Sequence, residues 1–320
     1  MVSESLEPDR AQDDTFAIQT LNLTRVFGSL VAVNGIDLDI KKGELFAFLG
    51  PNGAGKTTAI NMLCCLLKPT SGTAKIMGYD INQEPYKVKE VIGVSPQETT
   101  LSEHLNSLEN LKLVGRLHGI SPQKLKIWSQ LMLKTMGLAD RAKDQVRKLS
   151  GGMKRRLNIA MALIHNPQVL FLDEPTLGLD PQARRAVWEY IARLKGDKAI
   201  LLTTHYMDEA DFLADRIGII DEGKIVALGT SSELKIETLG TNTMVIQAWN
   251  LTQKVIMEMQ SKYAEVKISG GTMTISDKRL DFKKIVDQLQ ASNAVVRSAY
   301  IKEPTLEDVF LKITGKKLRE

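Results

Sequence analysis

The residues of this chain with the clearest chemical potential form one glycine-rich stretch that directly follows the apolar run 45–49. The stretch reads Gly50, Pro51, Asn52, Gly53, Ala54, Gly55, Lys56, Thr57 and Thr58. Glycines accept left-handed backbone angles, so such a loop can turn its N–H groups towards a polyphosphate at the start of a helix. Lys56 can then bridge two phosphates, and the Thr57 hydroxyl can ligate Mg²⁺. The pattern predicts a nucleoside triphosphate site; the alternative is an ordinary glycine turn.

Two adjacent carboxylates, Asp173 and Glu174, follow a second apolar run at residues 169–172. Behind a phosphate loop, we expect Asp173 in the metal shell and Glu174 in position to take a proton from an attacking water. Burying two acids is costly without such a purpose. An acidic turn after a core strand is therefore the less favoured interpretation.

Two further polar residues, Gln97 and His205, each follow an apolar strand. The Gln97 amide can reach Mg²⁺ or the attacking water, and its loop leads into a helical region. Because open α/β sheets bind ligands at the carboxyl ends of their strands, we expect His205 to contact the terminal phosphate. Taken alone, Gln97 would be a surface residue and His205 a structural one.

A second candidate phosphate site opens the helix that begins after Ser150. Ser150 can cap this helix, and the bare N–H groups of Gly151 and Gly152 face outward. One nucleotide bound by Lys56 hardly needs both sites, so the pattern favours two chains arranged head to tail, each closing on its partner's nucleotide. Asp180 lies in the turn after the carboxylate pair and could cross the same interface. The alternatives are a plain capped helix and a turn-initiating Asp before Pro.

The composition is that of a globular protein, with 43% apolar and 25% charged residues. The 42 basic and 38 acidic residues leave a net charge of +4 without a concentrated basic stripe, so nucleic acid is not predicted as a partner. The two cysteines, Cys64 and Cys65, are neighbours in an apolar stretch, which indicates thiols in a reducing cytosol. No apolar run approaches the about 18 residues of a membrane span, and residues 1–15 read as an acidic, disordered tail.

The order of strands and helices predicts an α/β fold for residues 16–240. Alternating apolar residues over 16–40 indicate an antiparallel β layer, and helical spacing over about 98–165 indicates a helical insert. The pattern predicts further strands at 73–77, 91–95, 169–173, 199–204 and 216–220, with a helix at 181–195. Strands that alternate with helices imply a mostly parallel sheet.

Residues 241–320 show a different, shorter pattern, which predicts a small α+β domain. We expect strands at 243–248, 265–269, 272–276 and 295–301, with helices at 252–263, 280–292 and 305–315. The order βαββαβ plus one helix is that of a split βαβ sandwich. For its role, packing or bracing of a dimer is favoured over a regulatory sensor.

Taken together, these motifs resemble those of an ATP-binding cassette (ABC) ATPase over about residues 18–235. In order they match its Walker A loop (50–58), Q-loop (Gln97), signature (149–153), Walker B strand with glutamate (170–175), D-loop (178–180) and switch histidine (His205). The resemblance implies a P-loop NTPase cassette and a head-to-tail dimer that holds two ATP molecules. It also implies that Phe27, upstream of the phosphate loop, stacks on adenine.

Two features of the sequence resemble one branch of this family, the ATPases of ABC-2-type, daunorubicin-exporter-like transporters. Met153 stands where the signature usually has glutamine, and residues 304–315 resemble the closing segment of that branch. The resemblance implies a peripheral subunit at the cytoplasmic face of a membrane. Its partners would be a separate integral membrane permease and either a second copy or a paralogous ATPase. A soluble ABC ATPase of translation, repair or cofactor assembly is the alternative.

Overall fold

The computed structural model describes residues 15–240, 242–277, 280–302 and 304–315. The contacts divide the chain into two units, one ending at Leu228 and the other beginning at Gly229. The predicted acidic tail, residues 1–15, lies outside the described residues except for Thr15. Within the described ranges, no helix has the length and apolar character that a membrane crossing requires.

The first unit alternates strands and helices along most of its length. In chain order its elements are β1 (Phe16–Phe27), β2 (Leu30–Lys41), β3 (Leu45–Leu49), α1 (Lys56–Leu63), β4 (Ser71–Ile76), β5 (Tyr79–Asp80), α2 (Pro85–Val91), β6 (Ile92–Ser95), α3 (Ser107–Leu117), α4 (Pro122–Thr135), α5 (Gly151–Leu163), β7 (Val169–Asp173), α6 (Pro181–Ala192), β8 (Ala199–Thr204), α7 (Met207–Leu213), β9 (Arg216–Asp221) and β10 (Lys224–Gly229). The short elements β5, α2 and α7 and the strand β10 were not predicted.

The main sheet has six strands in the order β10-β9-β3-β8-β7-β6. β3 pairs in parallel with β8 and β9, and β7 pairs in parallel with β6 and β8. Every residue of β3, β7 and β8 is buried, as expected for strands covered on both faces. In register, Leu49 lies beside Thr204 and Asp173 beside Thr203. The carboxyl ends of these three strands therefore meet at one edge of the sheet.

The predicted antiparallel layer is a second sheet with the order β2-β1-β4-β5. Its β1 is irregular, with several register shifts against β2. Buried residues of this layer share one core cluster with Ile60 and Met62 of α1 and with Phe46 and Phe171 of the main sheet. The helix that follows the phosphate loop is thus fixed on its buried side, which holds the loop in place.

The helical insert contains α3 and α4 and leads into α5. Asn106 and Glu109 form a capping box at the start of α3, which satisfies N–H groups that the helix itself leaves unpaired. Two single 3₁₀ turns, Ala139–Arg141 and Val146–Lys148, follow α4. α3 packs against both α4 and α5. The predicted helical character of residues 98–165 is therefore present as three helices.

The second unit is a four-stranded antiparallel sheet with helices. Its elements are α8 (Ser231–Leu239), β11 (Asn242–Trp249), α9 (Gln253–Lys262), β12 (Glu265–Ser269), β13 (Thr272–Asp277), α10 (Phe282–Ala291), β14 (Val295–Lys302) and α11 (Leu306–Thr314). The sheet order is β12-β13-β11-β14. Met244, Ile275, Ile285 and Leu289 belong to a core of its own. The contact division precedes the boundary predicted at 240/241, because α8, which was not predicted, packs against α11.

Candidate functional site

The phosphate loop, residues 50–58, has the backbone that its glycines require. Gly53 and Gly55 have φ values of +83° and +101°, in the left-handed region that favours glycine. A Cβ on Gly55 would lie 2.2 Å from the Ala32 carbonyl oxygen, and one on Gly50 would lie 2.3 Å from that of Ile220. The loop therefore has no room for side chains at these two positions, and it ends with α1 starting at Lys56.

The Lys56 ammonium is buried, with 5% of the residue exposed. It donates to the carbonyl oxygens of Gly50 at 2.7 Å and Pro51 at 3.1 Å, and it lies 3.2 Å from Glu174 Oε1. The second carboxylate oxygen of Glu174 lies 2.8 Å from His205 Nδ1. The Glu174 carboxylate is thus held between an ammonium and an imidazole, and those groups come from three separate segments of the chain.

Asp173 lies beside this carboxylate and makes different contacts. The Thr57 hydroxyl donates to Asp173 Oδ1 at 3.2 Å, and the Thr203 hydroxyl donates to the same oxygen. Asp173 is 3% exposed. Among the described residues its hydrogen-bond partners are hydroxyls rather than cations. A buried carboxylate with a hydroxyl at its side is a hard oxygen donor set, which suits Mg²⁺.

The Glu174 backbone is unusual, because this non-glycine residue has a φ of +48°. Its N–H donates to the Thr203 carbonyl oxygen and hydroxyl, both at 3.1 Å. Its own carbonyl oxygen accepts from Arg155 Nη2 at 2.6 Å. The hydrogen bonds on both sides of the residue fix the direction in which its side chain leaves the chain.

The signature segment lies at the exposed start of α5. Ser150 caps the helix by accepting from the Met153 N–H at 3.3 Å. Close packing explains Gly152, since a Cβ there would lie 2.9 Å from the Ala183 Cβ of α6. Asp180 caps α6 by accepting from the Ala183 N–H at 2.9 Å. The cap that the sequence suggested for Ser150 is therefore present, whereas the cap made by Asp180 was not predicted. In the described chain neither side chain contacts Lys56 or Glu174.

Gln97 and Phe27 also lie apart from the carboxylates. The Gln97 side chain is exposed, and the residue is linked to the site through its carbonyl oxygen, which accepts from Arg155 at 2.6 Å. Phe27 ends β1 with 43% of its surface exposed, and the Arg25 guanidinium lies 4.4 Å from its ring centre. The structure thus brings together Lys56, Thr57, Asp173, Glu174 and His205. Within the described chain, the side chains of Gln97, Phe27 and the signature take no part in these contacts.

Comparison with known proteins decides what this site belongs to. The sequence profile of the ABC transporter family matches residues 33–177. The chain is 39% identical to the daunorubicin resistance ATP-binding protein DrrA3 of Streptomyces coeruleorubidus, over 90% of this chain and 93% of that protein. The chain belongs to the ABC transporter family of ATP-binding proteins.

Further relatives of this ABC ATPase support the same family. It is 38% identical to the linearmycin resistance ATP-binding protein LnrL of Bacillus subtilis, over 95% of this chain and all of the relative. A dimeric ATP-binding cassette solved in a post-hydrolysis state with ADP and Pi is 28% identical, covers 67% of this chain and superposes with a TM-score of 0.61. The predicted family, its daunorubicin-exporter-like branch, the cassette fold and the ATPase activity are confirmed.

Three buried polar residues at or beside the site of this ABC ATPase were not predicted from its sequence. Thr203 lies inside a predicted core strand, yet its hydroxyl contacts both Asp173 and the Glu174 N–H. Arg155 follows the signature and reaches the Glu174 carbonyl. Glu209 is fully buried and accepts from the Thr176 hydroxyl and Trp188 Nε1, both at 2.8 Å. A charged residue within a buried helix face was the signal available for Arg155 and Glu209.

Burial also changes the acid–base chemistry of two of these residues. It raises the pKa of Glu209 to about 7, against the opposing effect of hydrogen bonds from Thr204, Thr176 and Trp188. Burial likewise lowers the pKa of Arg155, while Asp173, Glu174 and Glu209 oppose that shift. The carboxylates around Arg155 thus help to keep its guanidinium charged.

Proposed function

We propose that this ABC ATPase powers an ABC-2-type exporter, as one of two head-to-tail subunits that act on a separate integral membrane permease. The observation that carries the proposal is the Glu174 carboxylate, held 3.2 Å from Lys56 Nζ and 2.8 Å from His205 Nδ1 beside the phosphate loop. A carboxylate in this position can act as a base and take a proton from a water that attacks the terminal phosphate. The subunit would lie at the cytoplasmic face of the membrane.

Each residue of the phosphate loop has a role in this proposal. The loop N–H groups at the start of α1 bind phosphate oxygens, and Lys56 exchanges its carbonyl partners for the β- and γ-phosphates. Thr57 and Asp173 would hold Mg²⁺, with Gln97 as a further ligand, and their oxygen chemistry fits that ion. Mg²⁺ bound there supplies positive charge beside the phosphate oxygens. His205 contacts the γ-phosphate, and Phe27 stacks on adenine.

The exposed signature supports the two-fold arrangement. Ser150, Gly151 and Gly152 open a helix whose first N–H groups lack acceptors within the helix, which suits an anion. This start lies outside the contacts around Lys56, so we assign it to the nucleotide of a second subunit, which is another copy of this chain or a paralogue. Asp180, at the adjacent start of α6, would line the same interface.

Export is supported by the names of the relatives. They include daunorubicin and linearmycin resistance proteins, and a Nod factor export ATP-binding protein of Cupriavidus metallidurans that is 37% identical over 96% of this chain. We therefore propose export as the direction of transport and leave recognition of the cargo to the permease. Purification of the tagged chain from detergent-solubilised membranes should recover a membrane protein in fixed stoichiometry. Recovery of the chain alone from the soluble fraction would favour the non-transport alternative.

The role of Glu174 is tested by Glu174→Gln, which keeps the size of the side chain and removes the base. We expect kcat for ATP hydrolysis to fall by about 10²- to 10³-fold, as is typical for a lost general base. ATP binding should persist, and ATP should now trap a dimer that size-exclusion chromatography resolves. Glu189→Gln is the matched control, because Glu189 is exposed on α6. Phosphate release by Glu174→Gln at the rate of the control would reject Glu174 as the base.

A further inference from the structure

Arg155 connects two segments of the site through one guanidinium group. Its Nη1 donates to the carbonyl oxygens of Pro96 at 3.0 Å and Gln97 at 2.6 Å. Its Nη2 donates to the carbonyl oxygen of Glu174 at 2.6 Å. Pro96 and Gln97 follow β6, whereas Glu174 follows β7. The planar fork of arginine can serve both segments at once, which a single ammonium cannot do.

The surroundings of Arg155 are unusual for a buried cation. The residue is 4% exposed, and the acceptors of its hydrogen bonds are backbone carbonyls rather than a carboxylate. Removing a charge from water is costly unless its hydrogen bonds are satisfied. The three carbonyls lie just beyond the ends of β6 and β7, so Arg155 joins the two loops that follow these strands. Weaker donors also reach two of them: Asn158 Nδ2 lies 3.5 Å from the Pro96 oxygen, and the Leu177 nitrogen lies 3.2 Å from the Glu174 oxygen.

The link at Glu174 acts directly on the residue that carries the carboxylate. Glu174 has a left-handed φ of +48°, which costs free energy and persists only where neighbours hold it. Thr203 holds the N–H side, and on the other side the carbonyl oxygen accepts from Arg155 at 2.6 Å and from the Leu177 N–H at 3.2 Å. Loss of the Arg155 contact removes the shorter of these two hydrogen bonds and weakens the hold on this angle. The Glu174 carboxylate would then move relative to Lys56 and His205.

The link at residues 96–97 lies where the main sheet passes into the helical insert. Asn158, on the same helix as Arg155, donates to the Ser95 hydroxyl at 2.9 Å. Its side-chain oxygen also accepts from the Thr100 N–H at 3.4 Å. Helix α5 therefore holds the connection on both sides of Gln97. A shift of this connection moves the carbonyl oxygens of Pro96 and Gln97. Because the same guanidinium also binds the Glu174 carbonyl, the shift would reach that residue through Arg155.

We propose that Arg155 is a positioning residue that couples the conformation of the 96–97 segment to the orientation of the Glu174 carboxylate. The inference rests on the proposed function, because it requires Glu174 to activate water. Arg155 itself touches no reacting atom. Its contribution is to make the geometry of the base depend on the segment that leads into the helical insert.

The test replaces Arg155 in the full chain by Met, which removes all three hydrogen bonds, and by Lys, which keeps the charge but not the fork. Arg156→Met is the matched control, since the neighbouring Arg156 donates to the Met136 carbonyl instead, at 2.7 Å. Because a misplacement of about 1 Å can cost 10²-fold in rate, we expect Arg155→Met to lower kcat by about 10- to 100-fold. KM for ATP should change by less than about threefold, because nucleotide binding does not use Arg155.

A second readout separates positioning from general stability. Hydrogen exchange of Arg155→Met should increase in peptides covering 96–100 and 174–177, while peptides covering 45–58 stay as protected as in wild type. Arg155→Lys should recover part of kcat and keeps the test available if the Met variant does not fold. A rise in KM with unchanged kcat, or equal losses in Arg155→Met and Arg156→Met, would overturn the coupling.

The two proposals fail in different ways. If Glu174→Gln hydrolyses ATP at the wild-type rate, both the proposed function and this inference are rejected. If Glu174→Gln is inactive while both Arg155 variants keep the wild-type kcat, the proposed function stands and only the coupling through Arg155 is rejected.

Discussion

At the scale of single residues, the site depends on groups that serve more than one partner. Thr203 uses one hydroxyl to donate to Asp173 and to accept from the Glu174 N–H. Glu174 uses its two carboxylate oxygens for Lys56 and His205 separately. Such shared contacts strengthen one another in a low dielectric, and the loss of one member leaves another buried group unpaired. We therefore expect small substitutions here to have large effects.

Glu209 carries a prediction about pH. Burial raises its pKa to about 7 from an ordinary 4.5. Between pH 4.5 and about pH 7, the Glu209 carboxyl therefore keeps its proton in the folded chain and loses it in the unfolded chain. The free energy of unfolding therefore decreases as pH rises through this window. Glu209→Gln keeps a neutral group in place. Between pH 5 and pH 8 we expect wild type to lose about 2 to 3 kcal/mol of stability relative to this variant.

Urea unfolding of both proteins at the two pH values measures this difference. Glu189→Gln, at an exposed position, should follow wild type at both pH values. If the stability of Glu209→Gln changes with pH in parallel with wild type, Glu209 is not protonated in the folded chain.

Residue types and spacing were enough to place Lys56, Thr57, Asp173, Glu174 and His205 at one predicted site, and the structure brings them together. Their roles towards ATP and Mg²⁺ stay predictions. Thr203 could not be predicted in its role, since that role arises from the register that sets it beside Asp173. Likewise, the separation of Arg155 from Glu174 along the chain conceals their contact. The roles of Gln97, Phe27, Ser150 and Asp180 are predictions as well, because they involve nucleotide or a second subunit.

At the scale of elements, the site is held by close packing between helices and the main sheet. β6 and α5 approach so closely at Gly93 that a Cβ would lie 2.1 Å from the Ala162 carbonyl oxygen. This approach keeps α5, with Arg155 and Asn158, against the strand that leads to Gln97. The strand β6 was predictable from its apolar run, whereas this helix–strand distance depends on three-dimensional packing.

Gly93→Ala tests this packing. The added methyl group must push α5 away from β6, and overpacking of this kind typically costs 1–3 kcal/mol, so we expect a loss of about 3 kcal/mol. Calorimetry without nucleotide should show a lower melting temperature. Gly151→Ala is the matched control for stability, since its Cβ would lie at an ordinary 3.8 Å from Leu179. Equal melting temperatures for the two variants would show that the contact at Gly93 can relax freely.

Different physical reasons explain why α7, β10 and α8 were not predicted. α7 has only seven residues, too few for a clear helical period. The residues of β10 alternate between exposed and partly buried, but the exposed Val226 and Leu228 are as apolar as the partly buried Ile225, so the sequence shows no period of two. α8 has a capping box at Thr230 and Glu233, which was a usable signal. Its packing partner, α11, is separated from it along the chain by all four strands β11–β14, so the sequence does not show their contact.

At the scale of the whole molecule, the chain combines two units with separate cores. The first contains every residue of the candidate site. In the second, Met244 and Ile275 of the sheet share a buried core with Ile285 of α10. The α/β class of the first and the βαββαβ order of the second followed from the periods of their apolar residues. The predicted boundary at 240/241 differs from the contact division because sequence does not show which unit α8 contacts.

The separate core predicts that residues 229–320 fold without the first unit. We expect this fragment to give a dispersed NMR spectrum and one cooperative thermal transition. Ile285→Ala, at a fully buried position, should destabilise it by about 3 kcal/mol, as is typical of large-to-small core substitutions. Lys283→Ala, at an exposed position on the same helix, is the control. A fragment that stays unfolded would show that its core depends on the first unit.

The continuity of helix α5 bears on when each subunit of a dimer hydrolyses ATP. The helix is one unbroken rod of 13 residues, about 20 Å long, and it carries the exposed signature at its tip and Arg155 little more than a turn further on. The helix thus connects the signature without a break to Arg155, which contacts the backbone of Glu174. If the start of α5 contacts the nucleotide of a second subunit, the position of Glu174 in one subunit would depend on whether the other has bound nucleotide. Two such subunits would hydrolyse ATP together, and a dimer with only one nucleotide would hydrolyse it slowly.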